Sequence, residues 1–265
     1  MARAKNRERR MSLGGHLKEL RRRLFLSALF ILAGSVVGWY LYEPIFTGLS
    51  KPVVDYAKAH NTVATVNLPT ITAAFDLQMQ VSIFAGVIIS SPLWLYQLWA
   101  FVGPALQRRE KRFTLAFMFT AIPLFFVGCW LAWVSFPQFI ATLLSFTPQG
   151  STNLISAQEY VLFVLRVLLV FGLAFVLPVV LVMLNFARVL TAKGILRGWR
   201  IALLTIAVIA ALATPVADPM SMILMMVPML ALYFASAAIA GVNDKVFARR
   251  NAALLAAAQA ETAQN

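Results

Sequence analysis

Tyr160 to Phe186 reads YVLFVLRVLLVFGLAFVLPVVLVMLNF, a run carrying a single charge at Arg166. A helix on the surface of a soluble protein keeps one polar face, and this segment has none. It also exceeds the roughly 20 apolar residues needed to cross a bilayer. Working outward from it, five further segments read as spans: Leu24 to Tyr42, Leu77 to Leu95, Thr114 to Phe136, Ile201 to Ala213 and Met220 to Val242. In hydrocarbon every backbone donor and acceptor must be satisfied internally, so these segments are helices. The expected fold is all-α: a single integral membrane domain over 1–265, with six transmembrane helices.

Composition agrees with that reading. The chain is 61% hydrophobic and 12% charged, with a mean hydropathy of +0.79. Soluble domains carry about 25% charged residues. The net charge of +13 would point to nucleic acid if it were clustered on a soluble domain. Its distribution excludes this. Of 23 Lys and Arg, 20 fall in residues 1–23, 96–113, 187–200 and 243–265. The intervening segments 43–76, 137–159 and 214–219 hold two, none and none. By the positive-inside rule both termini, 1–23 and 243–265, are cytoplasmic. The apolar run from Leu24 continues to Tyr42 with no convincing cleavage site, so the start is not read as a cleavable signal peptide. Residues 251–265 are rich in Ala and Gln and are expected to fray or be disordered.

The last two spans differ from the others. The 201–217 stretch rises only about 25 Å at 1.5 Å per residue, short of a hydrocarbon core of about 30 Å. The turn Thr214-Pro215-Val216-Ala217-Asp218-Pro219 is tight. A pair of short helices here would thin the bilayer or leave a wet notch. The long segments Glu43 to Asp76 and Pro137 to Glu159 on the opposite side are expected to be functional or partly structured.

Few residues offer chemistry. Cys129 lies in an apolar run and reads as core filler, while His16 and His60 lack ligand company, so no metal site is expected. Asp76, Glu159 and Asp218 sit at outer helix ends, and no acid lies mid-span. Arg166 either snorkels or makes a buried polar contact. Gly34-Ser-Val-Val-Gly38 is a GxxxG, whose expected meaning is close helix packing. Leu13, Leu17, Leu20 and Leu24 recur at helical spacing, and Glu19 stands off that stripe among cations. Its plain role is a salt bridge to Arg22 or Arg23. Glu110, between Arg108, Arg109, Lys111 and Arg112, has a similar plain role. The alternative is that two carboxylates on an otherwise positive face select a ligand bearing guanidinium groups, which pair with carboxylate through a planar fork.

Several stretches carry a resemblance. His16-Leu17-Lys18-Glu19-Leu20-Arg21-Arg22-Arg23-Leu24 resembles the N-terminal signature of the TatC family, the receptor subunits of twin-arginine protein translocases. Ser91-Pro92-Leu93-Trp94-Leu95-Tyr96-Gln97-Leu98-Trp99-Ala100-Phe101-Val102-Gly103-Pro104-Ala105-Leu106, running on into Arg109-Glu110-Lys111-Arg112, is similar to its most characteristic segment. Phe171-Gly172-Leu173-Ala174-Phe175 with Pro178, Thr214-Pro215, Asp218-Pro219 and Pro228-Met229 extend the likeness.

The resemblance implies a cup-shaped six-helix receptor in the cytoplasmic membrane, with short fifth and sixth helices. It would bind twin-arginine signal peptides of folded export substrates and nucleate an export complex driven by the proton-motive force. Glu19 and Glu110 would hold the paired arginines, Arg21 and Phe101 would shape the same site, and Pro52 and Asp218 would belong to the outer side. Implied partners are single-span TatA- and TatB-type subunits, further copies of the chain and the lipid bilayer. No cofactor, nucleic acid or catalysis is implied. Two positions depart from the family: Val176 and Phe234 stand where polar residues are frequent. On residue physics alone, a small-solute or ion carrier is the alternative, although the mid-membrane acids it needs are missing. A membrane enzyme ranks third, because no catalytic constellation appears.

Overall fold

Helix α1 (Leu13–Tyr40) starts eleven residues before the predicted first span and carries the Leu stripe and the span as one rod. The computed structural model describes residues 13–59, 64–102, 111–146, 153–186, 188–213 and 219–264. Turning at Leu41, the chain continues as α2 (Tyr42–Ala59), then strand β1 (Ala64–Asn67). It returns through α3 (Ala73–Ile89) and α4 (Ser91–Val102). Next come α5 (Lys111–Ser145), strand β2 (Asn153–Ser156) and α6 (Ala157–Phe186). The chain ends with α7 (Ala192–Arg197), α8 (Trp199–Ala213) and α9 (Pro219–Gln264).

Among the described residues, four helices are long and apolar enough to cross a membrane: Leu17–Tyr40, Leu115–Thr142, Ala157–Phe186 and Met225–Ala256. Their surfaces expose large apolar side chains, among them Phe25, Leu32, Phe119, Trp130 and Val242. That exposure is what helices facing lipid require.

Small residues set the closest approaches. Gly34 and Gly38 of α1 face Gly86 and Ser82 of α3, so the two helices run antiparallel. A Cβ on Gly34 would lie 2.7 Å from the Gly86 carbonyl oxygen, and one on Gly38 would lie 2.5 Å from that of Ser82. The GxxxG therefore does pack helix on helix. The same device joins α5 to α6, where a Cβ on Gly128 would lie 2.7 Å from the Phe171 carbonyl. Around α6 the core gathers Leu49, Leu77, Phe136, Tyr160, Val164, Phe171 and Met225. Arg166 is exposed on this helix, so of its two readings the structure takes the one in which the side chain leaves the bundle.

The predicted second span, 77–95, is not one helix. It breaks at Ser90, and Ala73–Ile89 and Ser91–Phe101 meet at 59°. Pro92 sits at the break, in the first turn of α4, where its missing N–H is not needed, while Pro52, Pro123, Pro137, Pro178 and Pro228 lie inside unbroken helices. The bend frees carbonyls of the last turn of α3, and the Trp94 indole Nε1 donates to one of them, Val87 O, at 2.8 Å.

The far end of the bundle is tied by backbone rather than by side-chain charge. β1 and β2 pair in parallel, Ala64 opposite Asn153 and Val66 opposite Ile155. This four-residue pairing was absent from the all-α expectation. Buried Leu49 and Val53 pack α2 onto the core, and the Tyr160 hydroxyl donates to Leu49 O at 2.6 Å.

α8 is short, 15 residues, which rise about 23 Å. α9 is not: it runs 46 residues, well beyond the predicted end at Val242. The expectation of a short sixth helix fails, as does that of a frayed tail over 251–265, which is helical to Gln264. The reason is composition. After Pro228 nothing in 229–264 breaks a helix except the tolerated Gly241, and Ala is the strongest helix former. The turn residues 214–218 lie outside the described residues.

Candidate functional site

The basic end of the bundle is built on the first turns of α1, on α4, on the last turn of α6 and on the middle of α9. Glu19 lies one helical turn before Arg23. Its Oε1 accepts from Arg23 Nε at 2.8 Å and faces Nη2 at 2.6 Å. Arg23 then crosses to α4, where Nη1 donates to Gln97 Oε1 at 3.0 Å. Gln97 is almost fully buried, so the amide is a fixed acceptor. Of the two partners proposed for Glu19, the structure selects Arg23. Both bonds close on one carboxylate oxygen, leaving Oε2 outside this fork.

Behind Gln97 the wall is aromatic. Trp99 stacks on Phe117 of α5, ring centroids 4.2 Å apart, and its Nε1 is buried with no hydrogen-bond partner. Leu95, Trp99, Phe117, Phe125, Val176 and Met183 form one apolar cluster. Val176 is thus core. Phe234 is half-exposed and meets Tyr233 edge-on at 5.5 Å.

Arg21 is exposed on α1, and Phe101 is half-buried at the end of α4. Pro52 lies on the other side, in α2, lining a cleft of about 530 Å³ with Gly48, Tyr56, Trp133 and Pro137. Glu110 and Asp218 lie outside the described residues. Among the predicted residues, then, Glu19 and Phe101 belong to elements that adjoin at the basic end, and Pro52 is remote from them. No cluster of three or more metal-ligating side chains occurs among the described residues.

Sequence reasoning missed a second polar network at this end. Asp244 of α9 accepts from the Ala192 backbone N–H at 2.8 Å, from Asn185 Nδ2 at 3.0 Å and from Arg188 Nη1 at 3.1 Å. Asn185 is fully buried, bonds Leu190 O at 2.9 Å and accepts from Asn243 at 2.8 Å. Arg188, at φ 63°, also lies over the Phe247 ring, 3.5 Å from its centroid. The only hint in sequence was isolated polar residues at the ends of two apolar runs. Together they latch the α6–α7 connection to α9. Asp244→Asn keeps the shape but turns one of the two acceptor oxygens into a donor, which must then face the Ala192 N–H or the Asn185 amide, at an expected cost of about 1–3 kcal/mol. The amides of residues 188–197 should then exchange hydrogen faster, with α1 and α3 unchanged.

Residues 15–228 match the family model described as Sec-independent protein translocase protein (TatC). A protein of that name from Xylanimonas cellulosilytica is 42% identical over 249 residues, covering 94% of this chain and 90% of its relative. TatCy from Bacillus subtilis is 34% identical, covering 84% and 86%. A crystal structure of the twin-arginine translocase receptor TatC is similar at a TM-score of 0.71 and 30% identity, covering 86% of this chain and 98% of that one. A crystal structure of the twin-arginine translocase receptor TatC in DDM gives a TM-score of 0.73 at 32% identity, covering 85% of this chain and 99% of that one. A membrane protein with these apolar spans, this sequence likeness and this shared fold belongs to the TatC family of Sec-independent protein translocase proteins.

Proposed function

We propose that this chain is the receptor of a twin-arginine translocase and binds the paired arginines of signal peptides at its basic end. The observation that carries the reading is Glu19: its carboxylate already holds a guanidinium, that of Arg23, at 2.6 Å. A group that holds one guanidinium fork can hold another. In this reading Glu19 and Glu110 take the two peptide arginines, Arg21 and Phe101 border them, and the basic surroundings repel cations that lack the fork. Pro52 and Asp218 serve the outer side.

The chain passes the membrane six times, by α1, the bent α3–α4 pair, α5, α6, α8 and α9, with both termini in the cytoplasm. Neighbour contacts support the alternation: α1 against α3 and α5 against α6 are antiparallel. The receptor gathers single-span TatA- and TatB-type subunits and further copies of itself for export driven by the proton-motive force, and performs no covalent chemistry.

The test is binding of a signal peptide with an Arg-Arg pair, against its Lys-Lys version, to the full-length protein in mild detergent. The Arg-Arg peptide should bind at least tenfold tighter, and Glu110→Gln should narrow that ratio. Equal affinities would reject the receptor reading and direct attention to solute transport.

A further inference from the structure

Away from the Glu19 site, α6, α7, α8 and α9 enclose an apolar groove of about 380 Å³. Pro178, Ile195, Ala202, Ile206, Met229 and Tyr233 line it, and it follows α8 from Ile201 to Ile209, about 12 Å of helix. Its polar groups are few. The Tyr233 hydroxyl donates to Ile195 O, so the wall presents no unmet donor there.

The charge at one end is the second observation. Lys193, Arg197 and Arg200 each adjoin a lining residue (Gly194, Gly198 and Ile201), and all three are exposed. No acid pairs with them among the described residues, whereas neighbouring Arg188 is committed to Asp244. An apolar slot whose α7 end is flanked in sequence by three exposed cations fits an occupant with an anionic head and an apolar tail. A wholly apolar partner helix would cover the slot and leave the three cations unmet. Free phosphate would use the cations and leave the slot unfilled.

We propose that this groove is a binding site for an anionic phospholipid, with an acyl chain along α8 and the phosphate among Lys193, Arg197 and Arg200. Basic pockets between spanning helices bind anionic headgroups in this way. The site depends only on the chain lying in a bilayer, so it stands or falls apart from the peptide reading.

Native mass spectrometry of the full-length protein tests it, titrating dioleoyl phosphatidylglycerol against dioleoyl phosphatidylcholine. The wild type should retain phosphatidylglycerol at least tenfold more tightly. Each charge removed should cost roughly fivefold, so a K193Q/R197Q/R200Q triple variant loses the preference while K193R/R197K/R200K keeps it. Filling the slot with A202F/T205F should abolish retention although the cations remain. Full preference in the triple Gln variant, or unchanged retention in the filled one, would overturn the proposal. So would displacement of the lipid by a single-span helical peptide, which would make the groove a protein interface.

Discussion

Glu19→Gln is expected to weaken binding of an Arg-Arg signal peptide by about 10- to 100-fold and to leave the weaker Lys-Lys binding nearly unchanged. Gln keeps the size of the side chain and one acceptor oxygen but loses the charge. Hydrogen bonds to a charged group contribute about 1.5–3 kcal/mol, and 1.4 kcal/mol is tenfold in affinity. The incoming arginine must first displace Arg23. That costs little, because an i,i+4 ion pair on a partly exposed helix contributes only about 0.3–0.5 kcal/mol. The side chains of Arg23 and Glu19 are 22% and 24% exposed, so water can replace the broken contact. Arg23→Gln should therefore strengthen peptide binding slightly, about twofold. Isothermal titration with both peptides and both variants separates the roles. A tenfold loss in Arg23→Gln would make Arg23 a peptide contact instead of a resident competitor, and unchanged binding in Glu19→Gln would remove the carboxylate from the site.

How much of this was legible in the chain depends on the range of the interaction. The apolar runs mark the long helices because burial in lipid is a local property of composition, and Tyr160 to Phe186 needs no tertiary partner to be read. The GxxxG was readable for a related reason: absence of a side chain at a fixed helical spacing has one packing meaning. Pro92 could have marked the break at Ser90, but in an apolar stretch of spanning length the hydropathy signal hid it. The predicted sixth span stops at Val242 with the apolar run, whereas the helix continues. Composition sets where hydrocarbon ends, and only a helix breaker, absent from 229–264 apart from Gly241, sets where a helix ends. At the candidate site the limit is sequence distance. Arg23 was a named partner of Glu19 because it is four residues away. Gln97 is 74 residues from Arg23, and Asp244 is 59 from Asn185. Nothing local announces either pair, and both follow from which helices become neighbours.

That neighbour relation is the object of the last expected result: Gly86→Leu should cost about 3 kcal/mol or more and should abolish discrimination between Arg-Arg and Lys-Lys peptides. Helix propensity alone predicts the reverse, since Leu is better than Gly in a helix by somewhat under 1 kcal/mol. The deciding term is space. A Cβ at position 86 would lie 2.5 Å from Ser35 N and 2.8 Å from Ile31 O, both backbone atoms of α1. Backbone cannot yield as a side chain tip can, so α1 and α3 must separate along their length. Overpacking usually costs 1–3 kcal/mol, and a whole helix pair displaced lies at or above that range. Separation also carries Arg23 away from Gln97, because α4 continues from α3 across the bend at Ser90 and α1 packs on both. Gly14→Leu is the control: nothing lies within 4 Å of a Cβ there, so the propensity gain should appear unopposed. Thermal unfolding followed by fluorescence-detected size exclusion reads both variants. A wild-type midpoint for Gly86→Leu would mean that the close approach of α1 and α3 does not hold the basic end together. A lowered midpoint with discrimination intact would mean that Glu19 works without Gln97 beside it.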